Sequence, residues 1–347
     1  MLYLKKNNAM KRSFILTALS SLLFLTFASC SESFFEYNGK IWATNFHIVY
    51  KSPKNLDDSI LHVMKSIDLS LSAFNPESTV SLINSNATSA ADTLFREVFR
   101  LSEKVYTASG GRFDPTLRPL VDLWGFGKAD TGGNTPSQEQ IDSAMRSVGF
   151  GSCALAPDNT VTKKTPETRF DFSAVAKGYG VDCVARLLER NGCADYMIEI
   201  GGEIALCGRN PDGKKWRIQI DAPVSAEDNG KMHDRLIVSE FGPGHTAIAT
   251  SGNYRNYRTD KTGHRFGHTI DSRTGRPSAN TTLSATVISA DCATADALAT
   301  ACMAMESGEA LRMLESYGNG TEGMLVLPDS TGTGFSILCT KGFPIKK

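Results

Sequence analysis

The sequence predicts a fold of the α+β class, with a largely antiparallel sheet flanked by helices. One observation leads to the fold class and a second to the number of domains. Segments with helical and with strand periodicity are mixed along the chain, without the regular βαβ alternation that produces parallel sheets. The hydrophobic content of 41% is ordinary for a globular protein, and no break in composition divides residues 36–347. We therefore expect one domain over 36–347.

Residues 1–29 are predicted to be a secretory signal peptide and not part of the fold. Four basic residues precede an apolar run at 14–28, and small residues then lead to Cys30. This ending resembles the bacterial lipobox, which implies a lipid on Cys30 and a lipoprotein attached to a membrane on the periplasmic side. Residues 30–35 would form a short tether. An uncleaved membrane anchor is the alternative, because the apolar run is nearly long enough to span a bilayer.

The first half of the domain is predicted to contain one strand and three helices. Residues 40–50 alternate in hydrophobicity, as a strand with one buried face does. Apolar residues recur at helical spacing in 60–74 and 94–105. A long connection at 112–136 then leads to a third helix, which begins with a capping box at 137–140.

The second half is predicted to be richer in strands. A long helix is expected at 174–191, a second helix around Asp296, and a third at 309–317. The strand candidates are 195–200, 216–221, 235–241, 245–251, 283–290, 323–327 and 335–339.

Charge and cysteine content exclude several classes of function. The chain carries 37 basic and 37 acidic side chains, so it lacks the positive field with which proteins hold nucleic acid. Beyond Cys30 there are seven cysteines, several of them inside apolar runs and none in a CxxC pair. We expect most of them to be buried small hydrophobes, with no disulfide framework and no zinc site.

A pair of hard oxygen ligands stands in the predicted helix at 291–301. Asp296 and Thr300 are four residues apart, so they share one face of that helix. A carboxylate and a hydroxyl suit Mg²⁺, which completes its shell with water and substrate phosphates. An ordinary solvated helix face is the alternative reading.

Two further segments have the composition of a binding site. In the long connection, Trp124 and Phe126 alternate with glycines, so that flat rings can be presented to a ring system. Asp171 and Ser173 stand where N-caps stand, and Lys177 lies one turn inside the following helix, an arrangement that favours phosphate. An aromatic-plugged loop and a plain capped helix are the alternatives.

Two later segments add glycines and a possible acid or base. The Gly201–Gly202 pair that ends a predicted strand is not a dinucleotide-binding fingerprint, and it could equally mark a β-bulge. In 268–277, His268 and Asp271 precede a Thr-Gly turn and could move a proton. A structural histidine is the alternative.

Together and in this order, these segments resemble the ApbE family, the FAD:protein FMN transferases. The resemblance extends from about residue 41 to 327. The matching segments are 74–84, 113–116 with 123–127, 171–179, 200–203, 268–277 and 295–300.

The resemblance implies a single ApbE-like domain and an Mg²⁺-dependent enzyme. Such an enzyme cuts the diphosphate of FAD, esterifies FMN onto a Thr or Ser hydroxyl of an exported acceptor protein with an FMN-binding domain, and releases AMP. By motif position, Mg²⁺ would be held by the Ala174 carbonyl, the Asp296 carboxylate and the Thr300 hydroxyl. The residues implied to contact FAD are Phe74, Trp124, Gly125, Phe126, Asp171, Lys177 and Ile270.

One position departs from the family pattern. Where relatives have a methionine that touches the flavin, this chain has Trp42, which could stack on the ring instead. For the base that accepts the hydroxyl proton, His268 is the first candidate and Asp271 the second. Two alternatives to transfer stay open: an FAD pyrophosphatase that uses water as acceptor, and a lipoprotein that binds FAD without cutting it.

Overall fold

An eight-stranded sheet, antiparallel at every pairing, runs through the computed structural model. Its order is β1 (Ser33–Ile41), β2 (Thr44–Ser52), β5 (Tyr196–Ile200), β6 (Glu203–Cys207), β9 (Thr246–Gly252), β14 (Ser284–Ser289), β15 (Glu322–Pro328) and β16 (Phe335–Cys339). The remaining strands form two-stranded pairs: β3 (Ala154–Leu155) with β4 (Val161–Thr162), β7 (Trp216–Asp221) with β8 (Arg235–Phe241), β10 (Tyr257–Thr259) with β11 (Arg265–Gly267), and β12 (Ile270–Asp271) with β13 (Arg276–Pro277). The predicted α+β class is confirmed.

The structure describes residues 32–127, 135–221, 235–253, 257–261, 263, 265–330 and 334–344. The predicted signal peptide and Cys30 lie outside these residues, as does 128–134 of the long connection. Among the described residues, no helix is long and apolar enough to cross a membrane. All seven described cysteines are free thiols, and five of them are buried, as the apolar runs predict.

All six predicted helices are present. The helices of the structure are α1 (Asp57–Leu71), α2 (Thr79–Asn84), α3 (Thr93–Ala108), α4 (Arg118–Leu123), α5 (Gln138–Met145), α6 (Ala176–Arg190), α7 (Cys292–Met303) and α8 (Ser307–Tyr317), with a 3₁₀ turn at Phe150–Ser152. The capping box at the start of α5 is confirmed, since Ser137 and Gln140 bond each other's backbone N–H groups. Two short helices, α2 and α4, were not predicted, and α4 lies inside the long connection.

The entry to α6 differs from the prediction. Neither Asp171 nor Ser173 caps the helix, whose N-cap is Val175 without a side-chain cap. Asp171 instead accepts hydrogen bonds from the backbone N–H of Ser173 at 2.9 Å and from its hydroxyl at 2.5 Å. This local turn uses the carboxylate oxygen before the helix begins.

The first predicted strand is a hairpin. β1 begins at Ser33, inside the predicted tether, and pairs with β2 through a two-residue turn at Trp42 and Ala43. Both turn residues have positive φ, 50° and 61°, as in the turns that match the twist of a hairpin. Alternation could not reveal this break, because it continues through the turn. The glycine pair 201–202 makes a similar turn between β5 and the unpredicted β6, with φ of 65° and 101°.

The sheet separates two unequal layers. On one face lies α7, which is buried on nearly all sides and packs its alanines against β9 and β14, with α6 beside it. On the other face, Trp216, Ile218 and Phe241 of the β7–β8 pair cover Leu206 and Ile248. The start of α6, the middle of α7 and strand β7 come together at one end of the sheet.

Glycine at position 180 is required by the ring of Trp42. A Cβ atom on Gly180 would lie 2.3 Å from a carbon of that indole, inside van der Waals contact. We expect Gly180→Ala to lower the free energy of unfolding by about 1–3 kcal/mol through overpacking, despite alanine's better helix propensity. Urea denaturation measures the difference.

Gly308→Ala is the matched control, because Gly308 is also helical but its Cβ would meet nothing nearer than an Arg312 nitrogen at 3.5 Å. That change should be neutral or stabilise by up to about 1 kcal/mol. Equal effects of the two substitutions would contradict the role given to Trp42.

Candidate active site

A cavity of about 870 Å³ opens between the start of α6, the middle of α7, the long connection and the β7–β8 pair. This size is typical of a site for a cofactor-sized ligand. Of the thirteen residues predicted to act as base or to bind FAD or Mg²⁺, nine line it: Phe74, Phe126, Asp171, Ala174, Lys177, His268, Ile270, Asp296 and Thr300.

The floor of the cavity is a charged cluster that the helix contact creates. The ammonium of Lys177 lies 2.8 Å from Glu203 Oε1 and 3.7 Å from Asp296 Oδ1. The backbone N–H of Gly178 donates to Asp296 Oδ2 at 3.1 Å. This bond needs glycine, because a Cβ at position 178 would lie 2.3 Å from the carbonyl oxygen of Cys292. Asp296 is therefore held from two sides in a helix that is not solvated.

Burial and mutual attraction set the protonation of this cluster. Burial by itself lowers the pKa of Lys177, but the carboxylates of Asp296 and Glu203 outweigh it and raise that pKa above its usual value. Burial raises the pKa of the Glu203 carboxyl, and the attraction of Lys177 only partly offsets this. The floor thus holds one ammonium against two carboxyl groups, an arrangement that a further cation would stabilise.

The oxygens at the floor fit Mg²⁺. Asp296 supplies a carboxylate, Thr300 a hydroxyl, and Ala174 also lines the cavity. Glu203 Oε2 is buried and has no hydrogen-bond partner in the part of the chain that the structure describes. Within the same residues, no group of three or more His, Cys, Asp and Glu side chains could hold a metal. A cation here would therefore depend on one or two carboxylates, neutral oxygens, water and substrate, which is the usual pattern for Mg²⁺.

Sequence reasoning missed Arg118, which organises one wall. Its guanidinium donates to Asp122 at 2.9 Å and to Asp171 at 3.3 Å, and it lies 4.9 Å from the centroid of the Phe74 ring. Phe74, half exposed at 50%, is thereby held at the rim of the cavity. The i, i+4 pair with Asp122 is local, but Phe74 and Asp171 are distant in sequence, so no local signal marks this role. The sequence also gives no sign of the role of Glu203, which stands only at the end of the glycine-containing segment 200–203.

The opposite wall combines an aromatic ring, His268 and Ile270. Phe126 meets His268 with ring centroids 6.2 Å apart and an interplanar angle of 65°. Trp124 lies behind this wall, buried against Ile270, and its indole N–H donates to the Gly275 carbonyl at 2.8 Å. Trp124 therefore fixes the turn that carries Ile270 instead of lining the cavity.

Four predicted site residues do not line the cavity: Trp42, Trp124, Gly125 and Asp271. The Trp42 ring packs on α6 at Gly180, and Gly125, with φ of 79°, ends α4. The Asp271 carboxylate accepts from the backbone N–H of Arg273 at 2.9 Å and pairs with its guanidinium at 3.4 Å. These residues hold turns or pack on α6 outside the cavity lining.

The chain matches a known family over most of its length. The model of the ApbE family matches residues 42–325. The FAD:protein FMN transferase of Vibrio cholerae is 33% identical over 94% of this chain and 97% of that protein. The FAD:protein FMN transferase of Haemophilus influenzae is 30% identical over 84% of this chain and 87% of that protein.

Solved structures agree with the sequence matches. The flavin transferase ApbE from Vibrio cholerae superposes with a TM-score of 0.79 at 31% identity, covering 90% of this chain and 98% of that one. The apo form of the Pseudomonas stutzeri flavinyl transferase ApbE gives 0.78 at 29% identity, covering 90% of this chain and 96% of that one.

The wall organised by Arg118 can be tested with Arg118→Lys, which keeps the charge but loses the planar fork. We expect the free energy of unfolding to fall by about 1–3 kcal/mol as hydrogen bonds to two carboxylates are weakened. Affinity for FAD should fall roughly tenfold, as about 1.4 kcal/mol of lost binding would give. Urea denaturation and FAD titration measure the two effects.

Arg169→Lys is the control. Arg169 also pairs with Asp122, at 3.3 Å, but its side chain is 44% exposed, so its ion pair is screened by solvent. Both quantities should stay close to wild type. If Arg118→Lys loses stability but binds FAD like the wild type, Arg118 does not organise the ligand wall.

Proposed function

The chain belongs to the ApbE family and is a flavin transferase, and on this premise we propose that it is an Mg²⁺-dependent FAD:protein FMN transferase that links FMN through a phosphoester to a Thr or Ser of an exported acceptor protein. The observation that carries the proposal is the cluster of Lys177, Asp296 and Thr300 at the floor of one cavity. The acceptor would present its hydroxyl from an FMN-binding domain.

The reaction exchanges one phosphorus–oxygen bond for another. The acceptor hydroxyl oxygen attacks the phosphorus on the FMN side of the FAD diphosphate, and the bond from that phosphorus to the bridging oxygen breaks. AMP leaves with the bonding electrons, and the hydroxyl proton passes to a base. When bound, Mg²⁺ would neutralise and align the diphosphate.

The chain's own residues would bind and orient FAD around that reaction. The ammonium of Lys177 and the N-terminus of α6 both favour the anionic diphosphate. Asp296 and Thr300, with the Ala174 carbonyl, would hold the metal. Phe74, Phe126 and Ile270 offer apolar surface for the rings of FAD.

His268 is the proposed base. It lines the cavity next to Phe126, whereas Asp171 is occupied by Arg118 and Ser173, and Asp296 would bind the metal. Asp271, the second candidate, is held by Arg273 outside the lining. An imidazole also has the pKa range suited to accepting a proton near neutral pH.

Incubation with FAD separates transfer from its alternatives, with and without Mg²⁺ and with and without a Thr-bearing FMN-binding domain as acceptor. Transfer predicts that AMP and covalent flavin form only when Mg²⁺ and the acceptor are both present. The covalent flavin is read by in-gel fluorescence. AMP without acceptor would indicate the pyrophosphatase, and no AMP under any condition would indicate a binding protein. Transfer without Mg²⁺ would overturn the metal dependence.

In the same assay, His268→Ala should lower the rate of FMN transfer by ~10²–10⁴-fold, the usual contribution of a general base. FAD affinity should change little, because the proposed contacts to the diphosphate and to the rings are made by other side chains, which the variant retains. Asp271→Ala is the comparison, since its carboxylate is engaged by Arg273. Transfer at the wild-type rate by His268→Ala would reject this base and leave the transferase activity in place.

We also propose that the protein is a lipoprotein in the cell envelope, anchored on the periplasmic side through a lipid on Cys30. Support comes from the basic residues, the apolar run and the small residues before Cys30. Cys30→Ala should abolish labelling by a radioactive or clickable fatty acid in cells that express the full chain. Undiminished labelling of that variant would reject the lipid anchor.

A further inference from the structure

We propose that Ser251 is a positioning residue for the metal site, because it accepts the hydrogen bond that the Thr300 hydroxyl must donate once its oxygen binds Mg²⁺. This inference rests on the proposed metal dependence and extends it to a residue outside the implied ligand set.

The two hydroxyls face each other across the packing of α7 on the sheet. Ser251 is on β9, Thr300 is on α7, and their hydroxyl oxygens are 3.1 Å apart. Both residues line the cavity. The geometry allows either oxygen to be the donor, so the direction of the bond is open until something else fixes it.

A cation would fix that direction. A hydroxyl has one proton and two lone pairs. If a lone pair of Thr300 points to Mg²⁺, its proton must point elsewhere, and the neighbouring positive charge makes that proton a stronger donor. A partner that satisfies a metal ligand in this way orients it, and losing such a partner typically weakens metal binding or activity 10–100-fold.

The surroundings leave this task to Ser251. The Thr300 hydroxyl has no other hydrogen bond among the described residues. The Asp296 carboxylate accepts from Gly178, pairs with Lys177 and would bind the metal itself. Thr250, the neighbour of Ser251, bonds Thr286 at 2.9 Å.

The test is Mg²⁺ binding, measured without turnover. Mn²⁺ is titrated into the FAD-loaded protein in the absence of acceptor, free Mn²⁺ is followed by electron paramagnetic resonance, and Mg²⁺ is added as competitor. Ser251→Ala should weaken Mg²⁺ binding by roughly 10–100-fold. Ser251→Thr, which keeps the hydroxyl, should stay within a few-fold of wild type. In transfer assays, Ser251→Ala should need more Mg²⁺ but approach the wild-type kcat at saturation.

Two reference variants make the result specific. Ser289→Ala removes one partner of another hydroxyl pair of the same sheet, with Thr321 at 3.1 Å, away from the cavity lining, and should bind Mg²⁺ like wild type. Asp296→Ala should not bind it. If Ser251→Ala binds Mg²⁺ like wild type while Asp296→Ala does not, or if Ser289→Ala is weakened equally, the role of Ser251 is wrong. If the wild type and Asp296→Ala bind alike, the metal site itself is wrong.

Discussion

The close contact between α6 and α7 is the constraint on which the site depends. At Gly178 the two helices meet without a side chain between them. One turn further along α6, the buried carboxylate of Asp182 accepts the backbone N–H groups of Cys292 and Ala293, at 2.8 and 2.9 Å, and so satisfies the start of α7. These two contacts set the rotation and translation of α7. They bring Asp296 to Lys177 and direct Thr300 to the cavity, so a shift between the helices would separate the groups of the floor.

Much of this arrangement could be predicted where its cause is local. Helical spacing and a capping box define α5, and the i, i+4 relation puts Asp296 and Thr300 on one face. The sequence does not predict which elements pack around that face. The alternative reading, a solvated helix face, is excluded because α7 is rich in small residues that allow the sheet and α6 to approach it. The turn at Trp42 could not be predicted from periodicity, because the alternation of apolar and polar side chains persists through a two-residue hairpin turn.

The predicted site residues divide into those that line the cavity and those that support its wall, and motif matching does not separate the two. Trp124 and Asp271 lie beside cavity residues in sequence, yet their side chains are used to hold turns, by bonds to Gly275 and Arg273. Arg118 shows the converse: it lies outside every quoted motif, but it joins Asp171 and Phe74 across the wall. Only the tertiary structure shows which polar atoms are already occupied and which remain available to a ligand.

In the proposed reaction, transfer and hydrolysis break the same phosphoanhydride bond and release the same AMP. The groups of the floor act on that shared step, so none of them distinguishes a protein hydroxyl from water. The distinction must arise at the rim, where Phe74 is half exposed and a docked protein can cover the opening. Such an acceptor would supply the hydroxyl and also exclude competing water, which strengthens the electrostatic interactions beneath it. Under this proposal, specificity for transfer would come from acceptor docking, whereas the floor would supply the chemistry that either acceptor uses.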